Sequence, residues 1–346
     1  MNPITWAFII TAISTSTILV ASSHHWLLAW LGLELNTLSI LPLIMKPAHP
    51  RATEATTKYF LVQTTAAAMI LFASIINTWQ TGQWSIPNSP TPYTTAIITS
   101  AILLKLGLAP VHLWYPDVLQ GASMNTALVL STWQKLAPLT LLMMMSHHLS
   151  PYTLLLLGLL SALVGGWLGL NQTQIRKILA ASSIAHMGWL ITAMTISPPL
   201  ATLTLLIYIM TTITVFSHMS MTETKTTQDI GTTWTHSPAM TLTTMLALIS
   251  LGGLPPTTGF MPKWLIMKDM LSANLTPIAL AILMASLPSL FFYLRLMYIS
   301  TLTAPPNTTT TEYKWRLKMT PQKTLAPLMM LAIMLLPLTP MMYTTT

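Results

Sequence analysis

Four residues stand where their charge is expensive: Glu34, Lys105, Lys135 and Lys263. Each falls within an apolar run long enough to cross a bilayer, which takes ~20 residues. Glu34, in Leu31-Gly32-Leu33-Glu34-Leu35-Asn36, lies about nine residues into its run, or ~13 Å deep at ~1.5 Å per residue. Lys105 and Lys135 each lie about twelve residues into theirs, near mid-membrane, and Lys263 follows a Gly/Pro interruption. An ionisable group at such depth costs several kcal/mol unless it is paired or hydrated, and it marks ion or proton routes. An ammonium stripped of water gives up its proton more readily, and a nearby carboxylate restores its hold. A lysine beside a movable negative charge therefore has an adjustable proton affinity. Glu34, Lys105 and Lys135 form such a set if their helices are neighbours. Imidazole suits a relay at neutral pH. His186, near the middle of another run, and His112, just past a proline, could take that part. As alternatives, Glu34 could be a structural ion-pair partner, His186 a hydrogen-bonded core histidine, and His112 an interfacial one.

The elements that must hold these residues are membrane helices. Of 346 residues 53% are hydrophobic, and only 6% are charged. Soluble domains carry ~25% charge, so the composition excludes a soluble globular enzyme and a disordered chain. Apolar runs place eleven spans at roughly 3–22, 25–45, 57–79, 93–116, 123–145, 151–170, 177–196, 199–221, 238–266, 273–297 and 324–343. The expected fold is one all-α polytopic membrane domain over residues 1–346.

Two spans are interrupted at mid-depth. Span 4 carries Lys105-Leu106-Gly107-Leu108-Ala109-Pro110, and span 9 carries Leu251-Gly252-Gly253-Leu254-Pro255-Pro256, followed by Lys263. Proline removes a backbone donor and clashes with the i−4 carbonyl, so Pro110, Pro255 and Pro256, with Gly107 and Gly253, should break both helices. Broken backbone at that depth must face protein or a wet cavity. The two breaks are five spans apart and so run in opposite directions. This is the pattern of inverted repeats with discontinuous helices. The expected halves are about 1–146 and 147–298, with an extra C-terminal helix at about 324–343.

Charge placement agrees with the span count. Lys46, Arg51, Lys58, Arg176, Lys177, Lys225, Arg295, Lys314, Arg316, Lys318 and Lys323 fall on the N-terminal side, and Lys268 alone falls opposite. Positive-inside bias then puts the N-terminus on the cytoplasmic or matrix side and the C-terminus across the membrane. No basic or Arg-rich leader precedes the first span, so no cleaved targeting signal is expected. The twelve Trp residues mostly fall near span ends, as interface anchors do. His24, His25, His147 and His148 are expected to be solvated, and Asp117, Glu223, Asp229, Asp269 and Glu312 to be loop charges. The chain has no Cys, which excludes disulfides, Cys-bound zinc and iron–sulfur clusters. It has neither GxGxxG nor GxxxxGK[ST], nor a metal-protease helix, and no Lys/Arg-rich run for nucleic acid. The residues alone leave open a proton-translocating subunit, a stand-alone cation/proton antiporter, and a structural or assembly subunit.

The segments MNPITWAFI, LGLELN, KLGLAPVHLWYPDVLQG, STWQKLAP, NQTQIRKILAASSIAHMGW and SLGGLPPTTGFMPKW resemble the antiporter-like membrane subunits of respiratory complex I, the proton-pumping NADH:ubiquinone oxidoreductase. The likeness is to the vertebrate, mitochondrially encoded form and extends over essentially the whole chain. The resemblance implies that Glu34 is the family's embedded glutamate, that Lys105, Lys135 and Lys263 are its proton-carrying lysines, and that His112 and His186 are intermediate relays. It implies no cofactor or metal in this chain, with NADH, FMN, iron–sulfur clusters and ubiquinone held by other subunits. It implies other membrane-arm subunits as partners, membrane lipids (cardiolipin a candidate) around the chain, and no function in isolation. It implies the mitochondrial inner membrane, with the N-terminus in the matrix and the C-terminus in the intermembrane space.

Overall fold

Prolines set many of the helix starts. α1 (Pro3–Ser22), α3 (Pro50–Thr81), α4 (Pro92–Leu106), α8 (Pro151–Gly169), α10 (Pro198–Met221) and α12 (Pro238–Gly252) all begin on proline. Its fixed φ suits the first helical position, and its missing N–H is not needed there. The computed structural model describes residues 2–86, 91–235, 238–302 and 325–339. Among them the chain is nearly all helical, with no strand and two isolated bridges. Eight helical segments are long and apolar enough to cross a membrane, and Pro92–Leu106, Pro238–Gly252 and Leu325–Met334 are shorter apolar helices. Glu312, Lys314, Arg316, Lys318 and Lys323 lie outside the described residues, as do the ends of the expected eleventh span. Ser and Thr inside the helices return their hydroxyls to the preceding turn, as Ser183 does to the Ala180 carbonyl at 2.8 Å. Each such bond satisfies a hydroxyl that would otherwise be a polar orphan in an apolar setting.

The chain divides into two compact units, Met1–Leu157 and Gly158–Thr346. In the first, α1, α2 (Trp26–Met45), α3 and α4 pack in sequence, and the short α5 (Trp114–Gly121) lies on α3. Gly121 permits that approach, because a Cβ there would stand 2.6 Å from the Arg51 carbonyl oxygen. α6 (Met124–Ser131) and α7 (Leu136–Met144) complete the unit, with α7 against α1 and α4. The expected fifth span is thus two helices joined by a 3₁₀ turn at Trp133–Lys135. Pro138 accounts for this: it cannot donate to the Gln134 carbonyl, and its ring crowds that group. Asp117, expected in a loop, sits in α5 and pairs with Lys58 of α3 at 3.0 Å, while Glu54 pairs with the same lysine at 2.8 Å.

In the second unit, α9 (Ile175–Ile196) and α10 form the centre. α12, α13 (Phe260–Ser272), α14 (Thr276–Leu302) and α15 (Leu325–Met334) pack around them. α8 reaches α9 through glycines. A Cβ on Gly188 would stand 2.6 Å from the Gly158 carbonyl oxygen and 2.8 Å from the Ala162 nitrogen, and one on Gly165 2.5 Å from the Ala185 nitrogen. Small residues of this kind let membrane helices pack backbone to backbone. Gly188→Leu should therefore force α8 and α9 apart at a cost of about 3 kcal/mol or more, read as loss of folded chain by thermal melting in detergent. Trp26, at the start of its expected span, is 0% exposed, an interior residue rather than a headgroup anchor, and Trp189 is interior as well.

Short bridges tie loops together in both units. The Trp26 N–H donates to the Trp84 carbonyl and the Ile86 N–H to the His24 carbonyl, with the His25 and Trp84 rings stacked at 5.4 Å. In the second unit the Ile175 N–H donates to the Lys225 carbonyl and the Thr227 N–H to the Thr173 carbonyl. The second bridge leads into α11 (Thr227–Thr232), whose start is a capping box. Asp229 accepts from the N–H groups of Thr226 at 2.7 Å and Lys225 at 2.9 Å. These bonds hold its carboxyl below the usual carboxylate range. A depressed folded-state pKa contributes stability that is complete above the unfolded pKa of ~3.9 and fades as pH falls through the folded value. The cap should thus be constant through the neutral range. Asp229→Ala should cost about 1 kcal/mol of local stability, read as faster hydrogen exchange at these amides.

Candidate functional site

The two expected breaks have the same backbone chemistry. At the end of α4, Gly107 takes φ +70°, its N–H reaches the Leu104 carbonyl at 3.2 Å, and the Leu108 N–H reaches the Leu103 carbonyl at 3.1 Å. At the end of α12, Gly253 takes φ +74°, its N–H reaches the Ser250 carbonyl at 3.1 Å, and the Leu254 N–H reaches the Ile249 carbonyl at 3.4 Å. Each is a Schellman cap, which needs a left-handed residue after the helix and satisfies its last carbonyls. Pro110 and the pair Pro255-Pro256 follow the caps, so neither helix resumes at once.

Lys105 lies two residues before the first cap. Its side chain is 7% exposed, and its Nζ is buried without a hydrogen-bond partner. It faces a small cavity also lined by Asn36, Tyr59, Gln63, Tyr115, Gln134 and Lys135. Of the expected set of three, Lys105 and Lys135 are therefore brought together on one cavity. Lys135, 3% exposed, ends the 3₁₀ turn, with Nζ 5.1 Å from the Tyr115 ring centroid. That is a cation–π distance. Gln134 Nε2 donates to Asn36 Oδ1 at 2.9 Å and Gln63 Nε2 to the Lys105 carbonyl at 3.4 Å, so amides frame the two amines. The cavity offers about 20 Å³ to water centres. One water needs ~10–15 Å³ on that measure, so a single water can stand beside the two amines.

Glu34 stands back from this cavity. It is half-buried, its Oε2 accepts from Thr37 Oγ1 at 3.3 Å, and no ion pair joins it to Lys105. His112 does not line the cavity either. It is 9% exposed in the α4–α5 connection, and its Nδ1 lies 3.2 Å from the Pro110 carbonyl oxygen.

The second unit repeats the theme with other side chains. Lys263, in the first turn of α13, reaches back so that Nζ donates to the Gly252 carbonyl at 2.8 Å. An ammonium is well placed on the carbonyls that end a helix. Nζ is also 5.9 Å from the Trp189 ring centroid, so it points inward and does not snorkel. His186 and Lys263 line one cavity of about 30 Å³ for water centres, together with Thr204, Tyr208, Thr211 and Ser250. His186 Nε2 is 3.5 Å from Tyr293 Oη, and its ring is 5.6 Å from that of Tyr208. The sequence reading missed Tyr115, Tyr208 and Tyr293 beside the expected residues. It also missed His218, which is fully buried in α10. An inward tyrosine has no signature in a sequence rich in interface aromatics, and His218 looks interfacial because it falls in the last turn of its span.

A sequence profile described as NADH:quinone oxidoreductase/Mrp antiporter, TM matches residues 23–289. The chain belongs to that family. A second profile, NADH dehydrogenase subunit 2 C-terminus, matches residues 290–343. Within the NADH:quinone oxidoreductase/Mrp antiporter family, the chain is 51% identical over 347 residues to NADH-ubiquinone oxidoreductase chain 2 of Carassius auratus, covering 100% of both. It is 52% identical over 344 residues to the protein of that name from Coturnix japonica, covering 99% of both. A chain of respiratory complex I from Thermus thermophilus aligns with TM-score 0.79 at 28% identity, over 87% of this chain and 71% of that one. Family membership and the apolar helices together make this a multi-span membrane protein.

Proposed function

We infer that the chain is a proton-translocating membrane-arm subunit of NADH:ubiquinone oxidoreductase, respiratory complex I, in the mitochondrial inner membrane. The observation that carries this reading is the pair of buried amines, Lys105 and Lys135, on one cavity with room for a water. Such a pair can pass a proton between them through that water, because each amine can hold or release one. Glu34, outside direct contact with either amine, is assigned the tuning role by its carboxylate chemistry and its place in α2 beside them. Lys263 serves the exit route, with His186 as its neighbour across the second cavity. His112 bonds locally beside the first break and is the weakest of the assigned relays. NADH oxidation and ubiquinone reduction belong to partner subunits, and the chain works only within that assembly.

The finer architecture is part of the same reading. The eight long helical segments and three shorter ones make eleven crossings, arranged as two five-span inverted repeats with a further C-terminal helix. Two recurrences support the repeat: a Schellman cap at Gly107 and at Gly253, and a bridge from the first interhelical loop to the third in each unit. Charge bias supports an N-terminus in the matrix. The chain lacks cysteine, so a single cysteine reports its own side. Lys225→Cys should react with an impermeant maleimide only from the matrix side.

Affinity isolation of the tagged chain from inner membranes should bring NADH:ubiquinone reductase activity with it. In sealed vesicles NADH oxidation by that assembly should move protons to one side. A chain that comes down alone, and that exchanges sodium for protons when reconstituted alone, would overturn the reading in favour of a free-standing antiporter.

A further inference from the structure

His218 is 0% exposed, yet both ring nitrogens are engaged. Nδ1 lies 2.7 Å from the Thr214 carbonyl oxygen. A carbonyl only accepts, so Nδ1 carries a proton and donates it. Nε2 lies 2.9 Å from Thr243 Oγ1 of α12. That hydroxyl has a second possible acceptor, the Met240 carbonyl oxygen at 3.0 Å.

One hydroxyl hydrogen facing two acceptors makes a rotor. With neutral His218, Thr243 donates to Nε2. With His218 protonated, Nε2–H donates to Oγ1, and the hydroxyl turns its hydrogen to Met240. Both protonation states are thus fully hydrogen-bonded, in a place where one lost hydrogen bond would be costly. The ring also lies in the last turn of α10, where helix carbonyls favour positive charge.

Its position links two regions. Exposed Glu223 follows five residues on, just past the end of α10, and Thr211, which lines the His186–Lys263 cavity, precedes it by seven, ~10.5 Å along the helix. Residues seven apart share a helix face. Buried Thr214 stands between them, its hydroxyl 2.7 Å from the Thr211 carbonyl oxygen.

We propose that His218 is a proton-exchanging residue of the second unit, standing between the end of α10 and the Lys263 cavity. Loading adds one proton at Nε2, unloading returns it to a water of the Lys263 cavity that reaches the ring, and the only other change is the turn of the Thr243 hydroxyl. The proposal rests on the proton-translocating reading above.

The test uses the assembled complex in sealed vesicles and reads protons moved per NADH oxidised. His218→Gln can keep both hydrogen bonds but does not titrate, so it should lower that ratio by the same fraction as Lys263→Met. Thr243→Val removes the rotor and should also lower it, and Thr243→Ser should restore it. His218→Gln at the parental ratio, with Lys263→Met defective, overturns this inference alone. Lys263→Met at the parental ratio overturns the reading beneath it. If His218→Gln does not assemble, the Thr243 pair decides: equal ratios for Val and Ser overturn the proposal.

Discussion

Lys135→Met should leave the complex assembled, and no less stable, while cutting proton transfer through this chain on the order of 10²-fold, the lower end of what a positioned proton-transfer group contributes. The two halves of that expectation have one cause. Lys135 is 3% exposed, and its amine faces an aromatic ring and a cavity of about 20 Å³. Holding a charge there costs several kcal/mol, and Met removes that cost while filling most of the same volume. Function would lose what stability gains. Lys105→Met should behave alike, since its Nζ is buried without a hydrogen-bond partner. Lys135→Arg is no rescue: guanidinium does not give up its proton in a protein, and it is larger than the space provided. Redox-driven pumping normalised to NADH oxidation, with a native gel for assembly, reads both halves. Full pumping in both Met variants would remove the role assigned to the pair. Loss of assembly before loss of pumping would make the buried charges structural instead.

How far such a site is legible in sequence depends on how local its causes are. The breaks at Gly107 and Gly253 were legible because a Schellman cap is decided within six residues, by a glycine that takes positive φ and prolines that bar continuation. The break at Lys135 was not, although Pro138 causes it. Prolines in this chain do not always break helices: Pro42 stays inside α2 and Pro288 inside α14. Which outcome follows depends on whether neighbouring groups take over the freed carbonyl, and that is tertiary information. The burial of Lys105 and Lys135 could be read from the length of the apolar runs, but their sharing of one cavity could not. It follows from α5 folding back onto α3, an arrangement that Lys58 and Asp117, 59 residues apart in sequence, help to hold. His218 carries no local signal of burial: it falls in the last turn of α10, and its seat against Thr243 of α12 is tertiary.

Gly253→Ala separates backbone strain from placement of the amine. Gly253 has φ +74°, where an L-residue is disfavoured by roughly 1–2 kcal/mol. An added Cβ would also stand 2.9 Å from Lys263 Nζ and 3.0 Å from its Cδ and Cε. Something must move, and the flexible lysine yields more easily than the cap. Its amine would then leave the Gly252 carbonyl, which it now meets at 2.8 Å. Gly82→Ala supplies the comparison. Gly82 has φ +71°, but nothing lies within 4 Å of its would-be Cβ. Both variants should lose about 1 kcal/mol or slightly more in thermal stability. Only Gly253→Ala should also lower the protons moved per NADH oxidised, approaching the ratio of Lys263→Met. If the two glycine variants lose stability equally and pump equally, the position of the Lys263 amine at the end of α12 is incidental. If Gly253→Ala alone pumps poorly, the break in the ninth span positions a proton carrier as well as ending a helix.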